Sequence, residues 1–324
     1  MPYVSVIVPC YNAASYIECC LQGLERQAYC DFDVILVDDC SNDETEEVIR
    51  QYGKRSSLTL QYYRNEQNLG PAASRKKGVE LSNAKYIAFC DSDDWDEPNY
   101  LALMVEKAQE NDADMVFCGY NTVFIGQRKK RTVEHKVKLA AGELHTRTAL
   151  ELNVDSLCVT LVKHEIINVI PIVNIRNGED MALIPLMISS STKFGVVKEC
   201  IYNYVCRQES ASVQANEKVV ESLICSFEHI YSNISDIYRN ECEIIGVRNL
   251  IYGGLLTLFK YSFDTKKARD ILEKFEEKYP TWTRSEKINY LPLNKKIFVK
   301  LAGNRYFLFL KILSKIHMIL TRNY

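Results

Sequence analysis

Four short segments near the start of the chain are apolar at nearly every position: residues 4–8 (VSVIV), 33–37 (DVILV), 86–90 (YIAFC) and 114–118 (DMVFC). A weaker fifth lies at 58–63 (LTLQYY). Continuous runs of Val, Ile and Phe at this length suit strands covered on both faces. Between them, apolar residues recur at helical spacing over 14–27, 43–52, 71–82 and 98–111. Ser41 or Asn42 is expected to cap the second helix, with Asp43, Glu44, Glu46 and Glu47 near its positive end. Pro98 suits the first position of the fourth helix. Strand and helix alternating at this pitch predict an α/β fold, a mostly parallel twisted sheet with helices on both faces.

Open sheets of this kind bind ligands beyond the carboxyl ends of their strands. Three polar loops fall there: PCYNA (9–13), DDCSND (38–43) and DSDDW (91–95). Each alone reads equally well as a solvated cap; together they put many carboxylates on one edge. Clustered carboxylates repel one another unless a cation neutralises them. Hard oxygen ligands in small number suit Mg²⁺ or Mn²⁺, which take one or two carboxylates and complete their shells with water and substrate phosphate. An acidic pocket can then accept a nucleoside diphosphate through the ion. In Asp91-Ser92-Asp93 the spacing lets one carboxylate face a metal and the other a sugar hydroxyl. Further on, NLGPAASRKKG (68–78) makes a turn and opens a helix carrying Arg75, Lys76 and Lys77. A helix N-terminus and an arginine on its exposed face both serve phosphate; the two lysines read as a solvated face.

Charge divides the chain. Residues 1–120 hold 10 Lys/Arg against 21 Asp/Glu, a net −11, and the remainder holds 30 against 21, a net +9. An acidic site in front and a basic surface behind follow from that asymmetry. The twelve cysteines form no C-x-x-C pair. Scattered beside apolar residues, as at Cys10, Cys40, Cys90 and Cys118, they read as core thiols of a reducing, cytoplasmic compartment. No secretory signal is evident at the N-terminus, no apolar run approaches membrane-spanning length, and the five histidines mark no metal cluster.

The segments VSVIVPCYNAASYIECCLQGLERQ, VILVDDCSNDET, NLGPAASRKKG and YIAFCDSDDW, in this order and spacing over residues 3 to about 118, together resemble the family 2 glycosyltransferases. The resemblance implies the GT-A fold and transfer of a sugar from a nucleotide-diphosphate donor, UDP-linked by preference, with inversion and with Mn²⁺ or Mg²⁺. It places Pro9, Tyr11 and Asn12 at the nucleotide base. Asp39, with Asp38 beside it, contacts the base, and Arg75 lies near the diphosphate. Asp91, with Ser92, lies on the ribose side, and Asp93 is the metal ligand. Asp94, Asp96 and Glu97 then read as a solvated lead into the next helix. Where the family often has Gly after its paired acids, this chain has Cys40, which implies a turn without positive φ.

Later, NGEDMALIPLM (177–187) is similar to the family's Gly-Glu-Asp segment and makes Asp180 the general base for the acceptor hydroxyl. Glu179 and Arg207 become possible phosphate or acceptor contacts. An acidic first helical turn is the bland alternative for Glu179 and Asp180. Tyr202 and Tyr204 read as core, and His164 as surface.

The catalytic domain is expected over 1–212, followed by a helical region over 213–324. Residues 280–324 hold nine Lys/Arg against Glu286 alone. Over 296–322 one amphipathic helix is expected, with Lys300, Asn304, Lys311, Lys315 and Arg322 along one stripe. Two fates are open to it: lying in a membrane interface, or packing its apolar face on the domain. The resemblance favours the first, at the inner face of the cell membrane, with a saccharide acceptor that is lipid-linked. The basic region carries no nucleic-acid-binding motif, so no nucleic acid is expected. Surface polysaccharide synthesis (capsule, O-antigen or exopolysaccharide) is the process implied. Two other classes compete: a catalytically weak scaffold that binds sugar nucleotides, and a phosphatase of the haloacid dehalogenase type. In the phosphatase, Thr or Val commonly follows the second Asp, where this chain has Asp94.

Overall fold

The computed structural model describes residues 1–124, 131–135, 145–152, 154–173, 175, 178–206 and 217–321. The chain divides into two compact units, Met1–Ser210 and Ala211–Tyr324.

Among the described residues the first unit has nine strands: β1 (Val4–Cys10), β2 (Phe32–Asp38), β3 (Leu60–Arg64), β4 (Tyr86–Phe89), β5 (Trp95–Asp96), β6 (Met115–Phe124), β7 (Arg131–His135), β8 (Thr160–Lys163) and β9 (Phe194–Cys206). They follow the order β3-β2-β1-β4-β8-β6-β9-β5, with β7 paired to β6. The expected parallel pairing joins β3, β2, β1 and β4, and β6 runs parallel to β9. β8 inserts antiparallel between β4 and β6, so the sheet is mixed beyond β4. Every residue of β1 is buried, as its nearly continuous apolar run requires, and the one hydroxyl, Ser5, donates to Asp33 Oδ1 at 2.6 Å.

The helices of this unit are α1 (Ile17–Glu25), α2 (Thr45–Gly53), α3 (Pro71–Leu81), α4 (Tyr100–Glu110), α5 (Thr146–Glu151), α6 (His164–Ile167) and α7 (Glu179–Ser189). α3 lies so close to β1 that a Cβ on Gly78 would stand 2.4 Å from Ile7 Cγ2. Two expected ends differ. Ser41 and Asn42 do not cap α2, whose cap residue is Glu44; their polar groups are drawn into the neighbouring loop. Pro98 lies in the turn before α4, which begins at Tyr100.

The second unit is helical: α8 (Glu217–Asn233), α9 (Arg239–Gly246), a π-helical turn over Val247–Gly254, α10 (Leu255–Tyr261), α11 (Thr265–Lys278), α12 (Leu293–Gly303) and α13 (Phe307–Thr321). Its core gathers Phe227, Phe275, Tyr279 and the fully buried Trp282. Contrary to the sequence expectation, the continuous stretch Asp236–Tyr261 is long and apolar enough to cross a membrane. Two-thirds of its most apolar window is buried, which is the condition of a core helix.

The single helix expected over 296–322 is also revised. It breaks after Gly303, where Arg305 takes a positive φ of 59°. The stripe of Lys300, Asn304, Lys311 and Lys315 is therefore divided between α12, the turn and α13. Lys311 and Lys315 of α13 donate to the backbone oxygens of Ser262 and Lys260, each at 3.0 Å. They tie α13 to the carboxyl end of α10, where the helix leaves carbonyls without helical partners.

Candidate active site

The site grows from the carboxyl ends of β1, β2 and β4. β1 delivers Pro9, which is buried within the strand. Tyr11 follows, 48% exposed, and Asn12 takes a positive φ of 49°. The loops after β1 and β2 are laced together. Asn12 N donates to Ser41 Oγ at 2.9 Å, Asn42 N donates to Asn12 Oδ1 at 2.9 Å, and Ala13 N donates to Thr45 Oγ1 at 2.7 Å. Tyr11 is thus an aromatic ring held out on a fixed turn.

Asp38 and Asp39 work inward. Asp38 has no exposed surface; its carboxylate accepts from Ser41 N and Oγ, Tyr62 OH and Arg64 Nη1, at 2.5–3.2 Å. It fixes the turn, and a direct ligand contact by Asp38 is not available in this arrangement. Asp39 is also buried. It accepts from Asn65 Nδ2 at 2.8 Å, Leu69 N at 2.9 Å and Gly70 N at 2.7 Å, and so fastens the loop entering α3 to the sheet. Cys40 between these groups has a φ of 63°. The sequence reading of a turn without positive φ is corrected here: Asp39 is fixed before Cys40 and Ser41 is drawn back onto the Asp38 carboxylate after it, and this tight turn puts a left-handed backbone on a residue that has a Cβ.

Anchored this way, α3 presents Arg75, but not on an exposed face. Arg75 is 3% exposed and buried between two carboxylates. Nη2 donates to Asp91 Oδ1 at 2.6 Å and Nη1 to Glu179 Oε1 at 2.5 Å; Asp180 Oδ1 stands 3.9 Å from Nη1. One guanidinium therefore joins the acid loop after β4 to the first turn of α7. Residues 91 and 180 are far apart in sequence, and this ion cluster is what brings them together. Burial works against the charged guanidinium, but the three carboxylates outweigh it and hold Arg75 protonated.

The acid loop is pinned from below. Tyr202 OH, on β9, donates to Asp94 Oδ2 at 2.5 Å and accepts from Asp91 N at 3.4 Å; Val205 N donates to Asp94 Oδ1 at 2.7 Å. Asp94 and Asp96 are buried, not the solvated lead expected from sequence. Burial first, then the charges of Asp91 and Asp93, push the Asp94 acid well above the ordinary range. Burial does the same to Asp96. Asp91, Ser92 and Asp93 stay half-buried at the mouth of the loop.

Gly178 opens α7 at a φ of 85°. Asp180 keeps 21% side-chain exposure while its Oδ1 is shielded. Burial pushes its acid up to about 8; Arg75 opposes the rise, and Glu179 and Asp91 add to it. A carboxylate shielded on one side and open on the other, with affinity for a proton near neutrality, has the character of a general base.

Tyr202 is core, as expected, but also a positioning group that sequence reasoning missed. Asp94 was missed in that role too; nothing in its acidic surroundings distinguishes it from Asp93. His164, read as surface, is half-buried with Nε2 at 3.1 Å from Val79 O. Arg207 lies outside the described residues.

The sequence profile of Glycosyl transferase family 2 matches residues 5–168. The chain belongs to that family. It is a glycosyltransferase, which removes the phosphatase alternative. A Bacillus subtilis glycosyltransferase named for teichuronic acid biosynthesis, TuaG, is 31% identical over 217 residues, covering 67% of this chain and 83% of that protein. The Streptococcus pneumoniae glycosyltransferase GlyG is 27% identical over 287 residues, covering 83% of this chain and 93% of that protein. Other Bacillus subtilis relatives are matched over about a third of their own length. Among solved structures, S. aureus TarS 1–349 in complex with UDP superposes with a TM-score of 0.72 at 18% identity, over 98% of this chain and 91% of that one. The fold of this family 2 chain is GT-A, as the sequence resemblance implied.

Proposed function

We propose that this family 2 enzyme carries out metal-dependent, inverting transfer of one sugar from a UDP-sugar to a hydroxyl of a saccharide acceptor during surface polysaccharide synthesis. The observation that carries the reading is the Arg75 cluster, which sets the acid loop and Asp180 around one guanidinium. The relative named for teichuronic acid biosynthesis supports the process, and TarS complexes with UDP and UDP-GlcNAc support the donor class.

In this mechanism Tyr11 and Asn12 border the nucleotide base on the rigid turn described above. Asp91 takes the ribose side. Asp180 removes the proton of the acceptor hydroxyl while that oxygen bonds to the anomeric carbon. The bond from that carbon to the diphosphate breaks on the opposite face, giving inversion. Arg75 holds Asp91 and α7 in register through the step, and Glu179 shares its charge.

Among the described residues no three His, Cys, Asp or Glu side chains form a ready metal group. The donor set on offer is Asp93 with Asp91 near it, half-buried at a loop mouth. That fits Mg²⁺ or Mn²⁺, which take few protein ligands. Asp93 would hold the ion directly. When bound, such an ion stabilises the negative charge that develops on a leaving diphosphate.

The test is to incubate the purified chain with Mn²⁺ and UDP-, GDP- and dTDP-sugars, reading thermal shift and donor hydrolysis. Asp93→Ala should lose the metal-dependent shift. Asp180→Asn should keep donor binding and lose transfer to acceptor by about 10²-fold or more. Absence of stabilisation by every nucleotide, or Asp93→Ala behaving as wild type, would overturn the reading. Retained transfer in Asp180→Asn would remove that residue from its role.

A further inference from the structure

On α13 every described side chain that is exposed is apolar. Leu308, Phe309, Ile319 and Leu320 are each more than half exposed, and Ile312 and Ile316 nearly so. Their spacing places them on one face of the helix. The opposite face carries the buried Phe307, Leu310 and Ser314. This is the reverse of an ordinary surface helix, which turns its apolar stripe inward. Soluble monomers rarely leave so many neighbouring large apolar side chains open, and such patches mark interaction sites.

Along the sequence of α12 and α13 the charge is of one sign, and one of its cations, Arg305, pairs with Glu276 of α11, Nη2 to Oε2 at 2.7 Å. From Leu293 to Thr321, spanning α12 and α13, there is no Asp or Glu, while Lys295, Lys296, Lys300, Arg305, Lys311 and Lys315 all fall within it. Lys300 is exposed, and Lys295, Lys296, Lys311 and Lys315 are half-buried. Lys311 and Lys315 flank one edge of the apolar face, with their ammonium groups on the α10 carbonyls. Leu293, Ile297 and Tyr306 are exposed nearby in sequence.

We propose that the outward face of α13 lies in the interface of an anionic lipid bilayer, its six apolar side chains among the acyl chains and the surrounding cations at the headgroups. The assigned face is the one opposite to Ser314, not a stripe of basic residues along one long helix. Charge selects the occupant. A second copy would bring the five lysines of α12 and α13 against five more, with no Asp or Glu in either stretch, whereas an anionic headgroup layer attracts them. The proposal stands on the second unit alone and does not depend on the transfer reaction.

Flotation of the full chain tests it, with vesicles of phosphatidylcholine alone and with added phosphatidylglycerol, at low and high salt. The wild type should float with the anionic vesicles, less so at high salt. Ile312→Glu/Ile316→Glu should reduce flotation about tenfold, with metal-dependent donor hydrolysis unchanged in the same preparation. Lys295→Gln/Lys296→Gln/Lys300→Gln should lose the preference for anionic vesicles while keeping the fold by circular dichroism. Equal flotation of the Glu variant and the wild type, or none by either, overturns the proposal. So does a lipid-free wild-type dimer that Ile312→Glu/Ile316→Glu dissociates, which would give the face to a second copy.

Discussion

Asp180 sits where opposing influences meet. Burial, Glu179 and Asp91 favour its protonated form, and the Arg75 guanidinium favours the charged form. The first set wins, leaving the acid at about 8. Two consequences carry opposite signs. A base must be deprotonated to act, so kcat/KM of the donor-free enzyme should rise about tenfold per pH unit toward pH ~8 and level above it. Stability runs the other way. A carboxyl whose acid is raised on folding stabilises the fold below its ordinary range, and that contribution is lost as pH rises from about 4 to 8. A pH–rate profile checks the first, and Asp180→Asn in a pH series of urea midpoints checks the second. A profile flat across this window would remove Asp180 as the titrating base. The sequence made Asp180 a candidate only through the Gly-Glu-Asp pattern. Its neighbours were hidden, because Arg75 reaches Glu179 over a separation of 104 positions.

At the scale of elements, the strand–loop junctions decide the geometry. Most of the parallel strands were legible because a strand buried on both faces is apolar at nearly every position, as β1, β2 and β4 are; β3, with Gln61 and Arg64 exposed, is not of that kind and gave the weaker signal. The second half of the sheet was not legible. β8 and β9 alternate less cleanly, and β5 is two residues long, held by its pairing with β9. The loops were legible as acidic but not in orientation. Asp38, Asp39 and Asp94 face into the protein because backbone amides and hydroxyls meet them there, and no local pattern announces partners drawn from other strands. Cys40 shows what those anchors cost. Its left-handed backbone opposes a Cβ by roughly 1–2 kcal/mol, less the extra freedom glycine has when unfolded. Cys40→Gly should therefore stabilise the chain by about 0.5–1 kcal/mol. Cys40→Ala, which keeps the Cβ, should not. Urea midpoints of the two variants against wild type measure the difference, and equal midpoints would mean that the turn carries no strain.

For the whole molecule, the charge asymmetry maps onto a division of labour. The acidic first 120 residues supply β1 to β5 and the carboxylate loops at their ends, and the acid-free stretch closes the second unit. Each unit holds its own core: the apolar strands in one, the aromatic cluster around Phe275 and Trp282 in the other. Separate cores imply separate cooperative transitions. A ligand raises only the transition of the unit that binds it, by about 2.7 kcal/mol at a hundredfold excess over Kd. Calorimetry should then resolve two transitions, with UDP and Mn²⁺ lifting one and leaving the other in place. Lys311→Met/Lys315→Met removes the two hydrogen bonds from α13 to the carboxyl end of α10. Each is worth about 0.5–1.5 kcal/mol. That variant should lower the transition that nucleotide leaves alone. If nucleotide shifts both transitions equally, or the lysine variant lowers the nucleotide-responsive one, the two units unfold as one and binding in the first is felt by the second.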